Sequence, residues 1–253
     1  MGLSSNNLCI GNVLLEINEC RSTNEYAKSL WSKSEPIEGT VVLTDKQTDG
    51  KGQIGNKWQS EPYQNLTFSI ILKPTFLKPE DQFMLSKIVS LACIETFEHF
   101  TEQKFIIKWP NDIYIREKKI GGILIENTIN SSQISNSVIG MGLNINQEVF
   151  ENLPRAISLK TIANNEFDKK EILYLLLKKI DVYYFLLRQG KIKGISQKYI
   201  QNLLGYKHKM TFLEQGITFK ATVNGVNERG QLLLELENGY IRKYNFKEVS
   251  WVF

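Results

Sequence analysis

The stretch KFIIKWPNDIYIREKKIGGILIEN, residues 104–127, decides the fold class. KFIIK and DIYI are short β-branched runs on either side of a proline-containing turn. REKK reads as a charged turn, and IGGILIEN at 120–127 as a third run. Such runs, bounded by turn residues, predict three consecutive strands. No helix separates them, so the chain lacks a regular βαβ rhythm and the class is α+β. Working outward, PEDQFMLSKIVSLACIETFEHF (79–100) opens on a proline and two acids, then places apolar residues at three- and four-residue steps. That pattern predicts a long helix. LTFSIILK (66–73), GTVVLTD (39–45), NVLLEIN (12–18) and ISNSVIGMGLNIN (134–146) predict further strands. Ser22 and Glu25 have capping-box spacing, so a helix is expected to open near Ser22. Residues 168–190 predict a second long helix, capped by Asp168 and stopped by Gly190, and 194–204 a third. After Gly205 come only short strand-like runs joined by turns such as NERG and ENG. Two units are therefore expected: 1–205, and a small antiparallel β-barrel over 206–253.

Composition narrows the function classes. Of 253 residues, 42% are hydrophobic and 23% charged, which excludes intrinsic disorder. No apolar run approaches the roughly 18 residues of a membrane span, and the first residues lack the pattern of a secretory signal. Cys9, Cys20 and Cys93 are too few and scattered for a disulfide framework, so a reducing cytoplasm is expected. His99 and His208 are far apart and outside any motif, which argues against a zinc site or a histidine-based triad. No protein-held metal is expected; Mg²⁺ can arrive with a phosphate substrate. A net charge of +4 suits an anionic substrate but not a dedicated DNA binder.

Three segments carry candidate chemistry. Gly50, Gly52 and Gly55 spell G-x-G-x-x-G inside a long polar loop, KQTDGKGQIGNKWQSEPYQN. A dinucleotide fold needs a strand–turn–helix there, and NKWQSEPYQN is no amphipathic helix, so that reading fails. The glycines still allow close backbone approach to a ligand, and Lys51 and Lys57 add positive charge. In the KWPND turn, Pro110 restricts its neighbours and presents Lys108 at a rigid strand end, a fixed charge for carboxylate or phosphate oxygens. Lys119 precedes Gly121 and Gly122, a cation beside bare backbone.

Together these segments resemble the biotin–protein ligase (biotin–[acetyl-CoA-carboxylase] ligase) family. The resemblance rests on STN at 22–24, TDKQTDGKGQIGNKW at 44–58, KWPND at 108–112, KIGGILIE at 119–126 and VIGMGLNIN at 138–146. It implies a class II synthetase-like mixed sheet packed with helices, followed by an SH3-like β-barrel. It also implies a form without the N-terminal helix-turn-helix of repressor members. The implied reaction joins biotin to ATP, with Mg²⁺, to give biotinyl-5′-AMP, then transfers biotin to a lysine of a biotin carboxyl carrier protein, a subunit of acetyl-CoA carboxylase. By position, the resemblance assigns biotin binding to Ser22, Thr23, Asn24, Gln47, Gly50, Lys51, Lys108, Gly121, Gly122, Gly140 and Gly142. Nucleotide binding falls to Lys51, Gly52, Gln53, Trp58, Lys108, Asn111, Lys119 and Asn144. Lys108 is the expected catalytic cation, and Asp112 a turn former. The family loop is commonly GRGRRGR-W; here Lys51, Gln53, Ile54 and Asn56 replace its arginines. Two alternatives are a lipoate- or octanoate-attaching enzyme of the same superfamily, and a nucleic-acid or peptide module built on Lys207, Lys209, Lys220, Arg229, Arg242 and Lys243.

Overall fold

The computed structural model describes residues 9–53 and 55–253. Ile54, one of the arginine replacements, lies outside the described residues. The larger part is a seven-stranded mixed sheet in the order β1-β2-β3-β7-β6-β5-β4. Strand β1 (Leu14–Cys20) runs parallel to β2 (Val41–Gln47), joined by helix α1 (Thr23–Lys33). The remaining neighbours are antiparallel: β3 (Leu66–Leu72), β7 (Gln133–Leu143), β6 (Lys118–Asn130), β5 (Asp112–Ile115) and β4 (Ile106–Lys108). The three strands expected between residues 104 and 127 are thus β4, β5 and β6.

Side chains alternate across the sheet, so its two faces read differently. Phe68, Ile70, Ile139, Met141 and Leu143 join the main core with helix α2 (Phe83–Phe100) and helix α4 (Lys169–Arg188). The opposite face carries Val42, Ile71 and Val138, which pack under Ala27 of α1. Along that second face β7 continues as Gly140 and Gly142, opposite Ser69 and Thr67 of β3. Apolar packing under α1 therefore gives way to glycine and hydroxyl residues at the helix's N-terminal end. This change creates a groove.

Helix α2 is preceded by a separate 3₁₀ turn, Pro79–Asp81. Asp168 caps α4 as expected, accepting from Lys170 N–H at 2.8 Å, and Gly190 adopts φ +74° beyond its end. The short helix α3 (Leu159–Ala163), capped by Ser158, had no readable amphipathic window. Helix α5 (Ile192–Gln201) leads to the second sheet. There β8 (Lys209–Glu214), β9 (Ile217–Val226), β10 (Leu232–Leu236), β11 (Ile241–Tyr244) and β12 (Ser250–Trp251) form an antiparallel sheet with β11 and β12 at its edges. Its interior is not a separate core. Phe212, Val223, Leu234 and Trp251 belong to the same apolar cluster as α2. Trp109 ties the two sheets: its indole N–H donates to the Gly230 carbonyl at 2.8 Å, and its ring packs on Phe246 and Trp251. No helix among the described residues is long and apolar enough to cross a membrane.

Candidate functional site

The groove beside α1 closes into a cavity at the point where β1 ends. Ser22 holds the N-cap position of α1 but its side chain makes no capping hydrogen bond. The expected capping box is absent, because Glu25 instead pairs with Lys51 of the glycine loop. The Ser22 side chain lines the cavity.

Thr23 and Asn24 follow, and both are held by neighbours. Gln47 Oε1 accepts from the Thr23 N–H at 2.9 Å and from its hydroxyl at 3.3 Å. The Ser69 hydroxyl lies 2.7 Å from Thr23 Oγ1 and donates to Asn24 Oδ1 at 2.6 Å. Asn24 Nδ2 donates to Glu126 Oε2 at 2.8 Å, and Lys28 pairs with the same carboxylate. A polar layer behind the wall thus fixes the side chains that face the cavity. Ser69 and Glu126 had not been picked out by sequence. The visible signal for Ser69 is the pair of hydroxyl residues, Thr67 and Ser69, at alternate positions of the apolar run LTFSIIL.

Glycines make the floor. A Cβ on Gly140 would fall 2.2 Å from Asn24 Oδ1, and one on Gly142 the same distance from the Trp58 ring. Gly122 pairs with Gly142 across β6 and β7, and its Cβ would meet Trp58 and the Lys119 ammonium at 3.3 Å. Trp58 therefore lies flat on a glycine pad that no other residue type would leave open. Gly121 points the other way: its Cβ would lie 2.6 Å from Leu143 in the core. It does not line the cavity, contrary to expectation, because adjacent strand residues face opposite sides. Gly50 is also off the lining. Its carbonyl accepts from Trp58 N–H at 2.9 Å, and the missing side chain lets this hairpin stem close. Between these points Lys51 and Lys57 form a bridge, and Lys51, Gly52, Gln53 and Asn56 cover the cavity.

A second cavity, about 320 Å³, adjoins the first and is lined by Tyr114, Asn144, Phe150, Leu153 and Arg155. That volume is in the small-ligand range of about 300–1,000 Å³. Lys57, Trp58 and Lys119 line both cavities. Asn144 donates from Nδ2 to the Ile157 carbonyl at 3.1 Å, leaving its buried Oδ1 without a partner. Asn111 lines the first cavity rather than the second, and its amide donates to the Ile123 carbonyl.

The two lysines stand differently toward the cavities. Lys119 stands where the cavities meet, 2.7 Å from Asp112 and 5.6 Å from the Trp58 ring centroid. Lys108 lines neither cavity. Its ammonium sits among Tyr114, Phe253 and Trp251, 5.1, 5.2 and 5.9 Å from their ring centroids. Among the described residues its one side-chain hydrogen-bond partner is the Tyr114 hydroxyl at 3.5 Å. Burial in this aromatic cage pulls its pKa below the ordinary lysine range and pushes the Tyr114 phenol up to about 12. The rings come from β5 and from the end of the chain, so no local motif announced the cage. Asp112, read as a turn former, supplies the carboxylate that orients Lys119. Phe150, Leu153 and Arg155 came from a segment without a readable motif.

The arrangement is a polar pocket, a glycine floor, a cation at a junction and a second pocket with one free amide oxygen. It suits a ligand with a hydrogen-bonding head, a slender tail and an anionic end meeting a second molecule at Lys119. Known proteins share its sequence and shape. A profile of the biotin/lipoate A/B protein ligase family matches residues 17–144. The bifunctional ligase/repressor BirA of Bacillus subtilis is 30% identical over 230 residues, covering 88% of this chain and 70% of that protein. Biotin–protein ligase 2 of Arabidopsis thaliana is 30% identical, covering 79% of this chain and 63% of its own length. A structure of the biotin protein ligase of Aquifex aeolicus in complex with biotin and ATP superposes with a TM-score of 0.80 at 31% identity, covering 94% of this chain and 98% of that one. With half the chain matched by the profile and a similar relative matched over most of both lengths, the chain belongs to the biotin/lipoate A/B protein ligase family.

Proposed function

We propose that this chain is a biotin–protein ligase: it joins biotin to ATP as biotinyl-5′-AMP and then transfers biotin to a lysine of a carrier protein. The single observation that carries the mechanism is Lys119 at the junction of the two cavities. In this reading the ureido head of biotin enters between Ser22, Thr23 and Gln47, and its tail runs along the Trp58 ring that Gly122 and Gly142 seat. The adenine occupies the second cavity, where Asn144 Oδ1 can accept from its exocyclic amine. The carboxylate and the α-phosphate then meet at Lys119.

A carboxylate attacking a phosphate brings two anions together, so a cation at that point lowers the barrier. The carboxylate oxygen forms a bond to phosphorus, and pyrophosphate leaves. In the second step the carrier's lysine amine attacks the acyl carbon, an amide forms and AMP departs. Lys119 is oriented for both steps by Asp112. Among the described residues Asp112 is also the one carboxylate lining either cavity, so it is the residue that would meet a Mg²⁺ arriving with the triphosphate. Such a metal needs few protein ligands, because phosphate oxygens and waters complete its shell; bound there, it supplies charge neutralisation to the leaving pyrophosphate. The glycine hairpin over the cavity shields the adenylate from water. Residues 1–205 form the ligase unit in this reading, and 206–253 close it through Trp251 and Phe253. A cytoplasmic site of action fits the free cysteines.

Biotin-dependent exchange of labelled pyrophosphate into ATP tests this, with lipoate and octanoate as parallel substrates. Exchange with biotin alone is the expected result. Exchange with lipoate or octanoate instead transfers the chain to the sister activity, and no exchange with any acid removes the adenylation reading.

A further inference from the structure

A second groove, between α5 and the C-terminal sheet, gathers positive charge that the ligase chemistry does not use. It is lined by Lys87, Lys193, Lys207, Arg229 and Lys243, with Glu228 as its one acid. Among the described residues, none of these five cations lies within ion-pairing distance of a carboxylate, whereas most of the barrel's other basic residues singled out in the sequence do. Lys209 pairs with Glu237 and Arg242 with Glu214. Lys220 also lacks an ion pair among the described residues but lines a separate groove; the five cations here are the unpaired ones that gather in one place.

Lys87 makes the groove more than a cluster of surface lysines. It comes from the middle of the long helix α2 and is only 2% exposed. Its ammonium donates to the Ser196 hydroxyl at 3.0 Å, and the Ser196 hydroxyl is directed at the Met84 sulfur. One neutral acceptor for a group with three donors leaves a buried charge without a counter-ion, an arrangement that costs folding stability. Burial accordingly lowers the Lys87 pKa, against weak opposing pulls from Glu228 and Asp81. The first turn of α5 adds its free N–H groups at Ile192 and Lys193.

We infer that this groove is an anion site that takes a phosphate-bearing ligand with more than one negative charge. Five cations against one acid call for a multiply charged partner. The side-chain amides that share the lining, such as Gln197 and Asn227, suit the many acceptor oxygens of phosphate groups. A free polyphosphate and a phosphodiester backbone share this chemistry, and the probes below separate them.

The test titrates inorganic tripolyphosphate, and separately a twelve-residue oligothymidylate, into the full chain carrying Lys119→Ala, which removes the cation of the ligase site. The same titrations are made after adding Lys207→Glu and Lys243→Glu, both at exposed positions that leave the core untouched. Binding that survives Lys119→Ala and weakens at least tenfold with the two charge reversals is expected. Loss confined to tripolyphosphate identifies a free polyphosphate as the ligand, and loss confined to the oligonucleotide identifies a phosphodiester. Unchanged affinity in the reversed variant, or no binding of either probe before reversal, overturns the inference. Lys87→Met gives an independent reading. Without probe it should melt above the wild-type chain, since a buried charge is gone, and the bound probe should add less to its melting temperature than to wild type. An equal gain would remove Lys87 from the site.

Discussion

Exchanging Lys108 and Lys119 in turn for alanine separates local presentation from tertiary placement. Lys119→Ala removes the ammonium at the cavity junction and leaves Asp112, 2.7 Å from it, as an unpaired carboxylate facing the incoming phosphates. Two unit charges about 4 Å apart interact by about 4 kcal/mol at an effective dielectric of about 20. Only the charge that develops in the transition state counts toward rate, and loss of one preorganised donor of this kind costs about 10²–10³ in kcat. We therefore expect pyrophosphate exchange to fall by about 10²–10³ in Lys119→Ala. Lys108→Ala should behave differently. Its three cation–π contacts contribute about 0.5–2 kcal/mol each, and desolvation of the buried ammonium offsets much of that. A small change in melting temperature and less than about a tenfold loss of exchange, or about 1.4 kcal/mol, are expected. The assay is single-turnover adenylate formation at saturating biotin and ATP, with thermal melts as the control for folding. A loss above a hundredfold in Lys108→Ala, with Lys119→Ala near wild type, would refute the placement of the reacting groups at the cavity junction.

Gly142→Ala pushes a methyl into the Trp58 indole, at 2.2 Å from the nearest ring atom; displacing the ring costs about 1–3 kcal/mol and should weaken biotin binding by calorimetry. Gly121→Ala should instead lower the melting temperature and spare biotin affinity, so equal affinity losses would contradict the assigned strand facing. Gln53→Arg restores an arginine to the cover of the cavity, whose two-pronged contact with phosphate a glutamine lacks; the adenylate off-rate should fall more than biotin affinity changes, and an unaltered off-rate counts against the loop's role in retention. Burial raises the Glu95 pKa, but hydrogen bonds from Lys198 and Tyr183 and the charges of Lys198 and Lys179 outweigh it and hold the carboxyl below its usual value. Its contribution is complete above the ordinary carboxylate pKa and lost as pH falls through the lower folded value. Glu95→Gln should cost about 1–3 kcal/mol at pH 7 and flatten the acid limb of the stability curve below about pH 4.5, measured by urea melts; parallel curves for both chains would show that Glu95 does not titrate with folding.

Local patterns in the chain decided its elements. The β-branched runs of 104–127 became β4, β5 and β6, and the apolar steps of 79–100 and 168–190 became the helices that cover one face of the sheet. Those patterns are legible because hydrophobic burial acts on spacing, and spacing is a property of the sequence alone. The spaced glycines of VIGMGLNIN likewise announced a bare strand face. Facing and partnership were decided elsewhere. Gly121 and Gly122 are equivalent as letters, yet the β6–β7 register sends one toward Leu143 and the other toward Trp58. Ser22 has the sequence of a capping box, but Glu25 found Lys51 across the loop. Lys108 and Lys119 both precede features that suit phosphate. Only the packed fold brings Phe253 and Trp251 from the chain's end to enclose one of them and leaves the other between two cavities. An ammonium's role depends on what surrounds it in space, and contacts between residues more than a hundred positions apart are set by tertiary packing, not by local spacing.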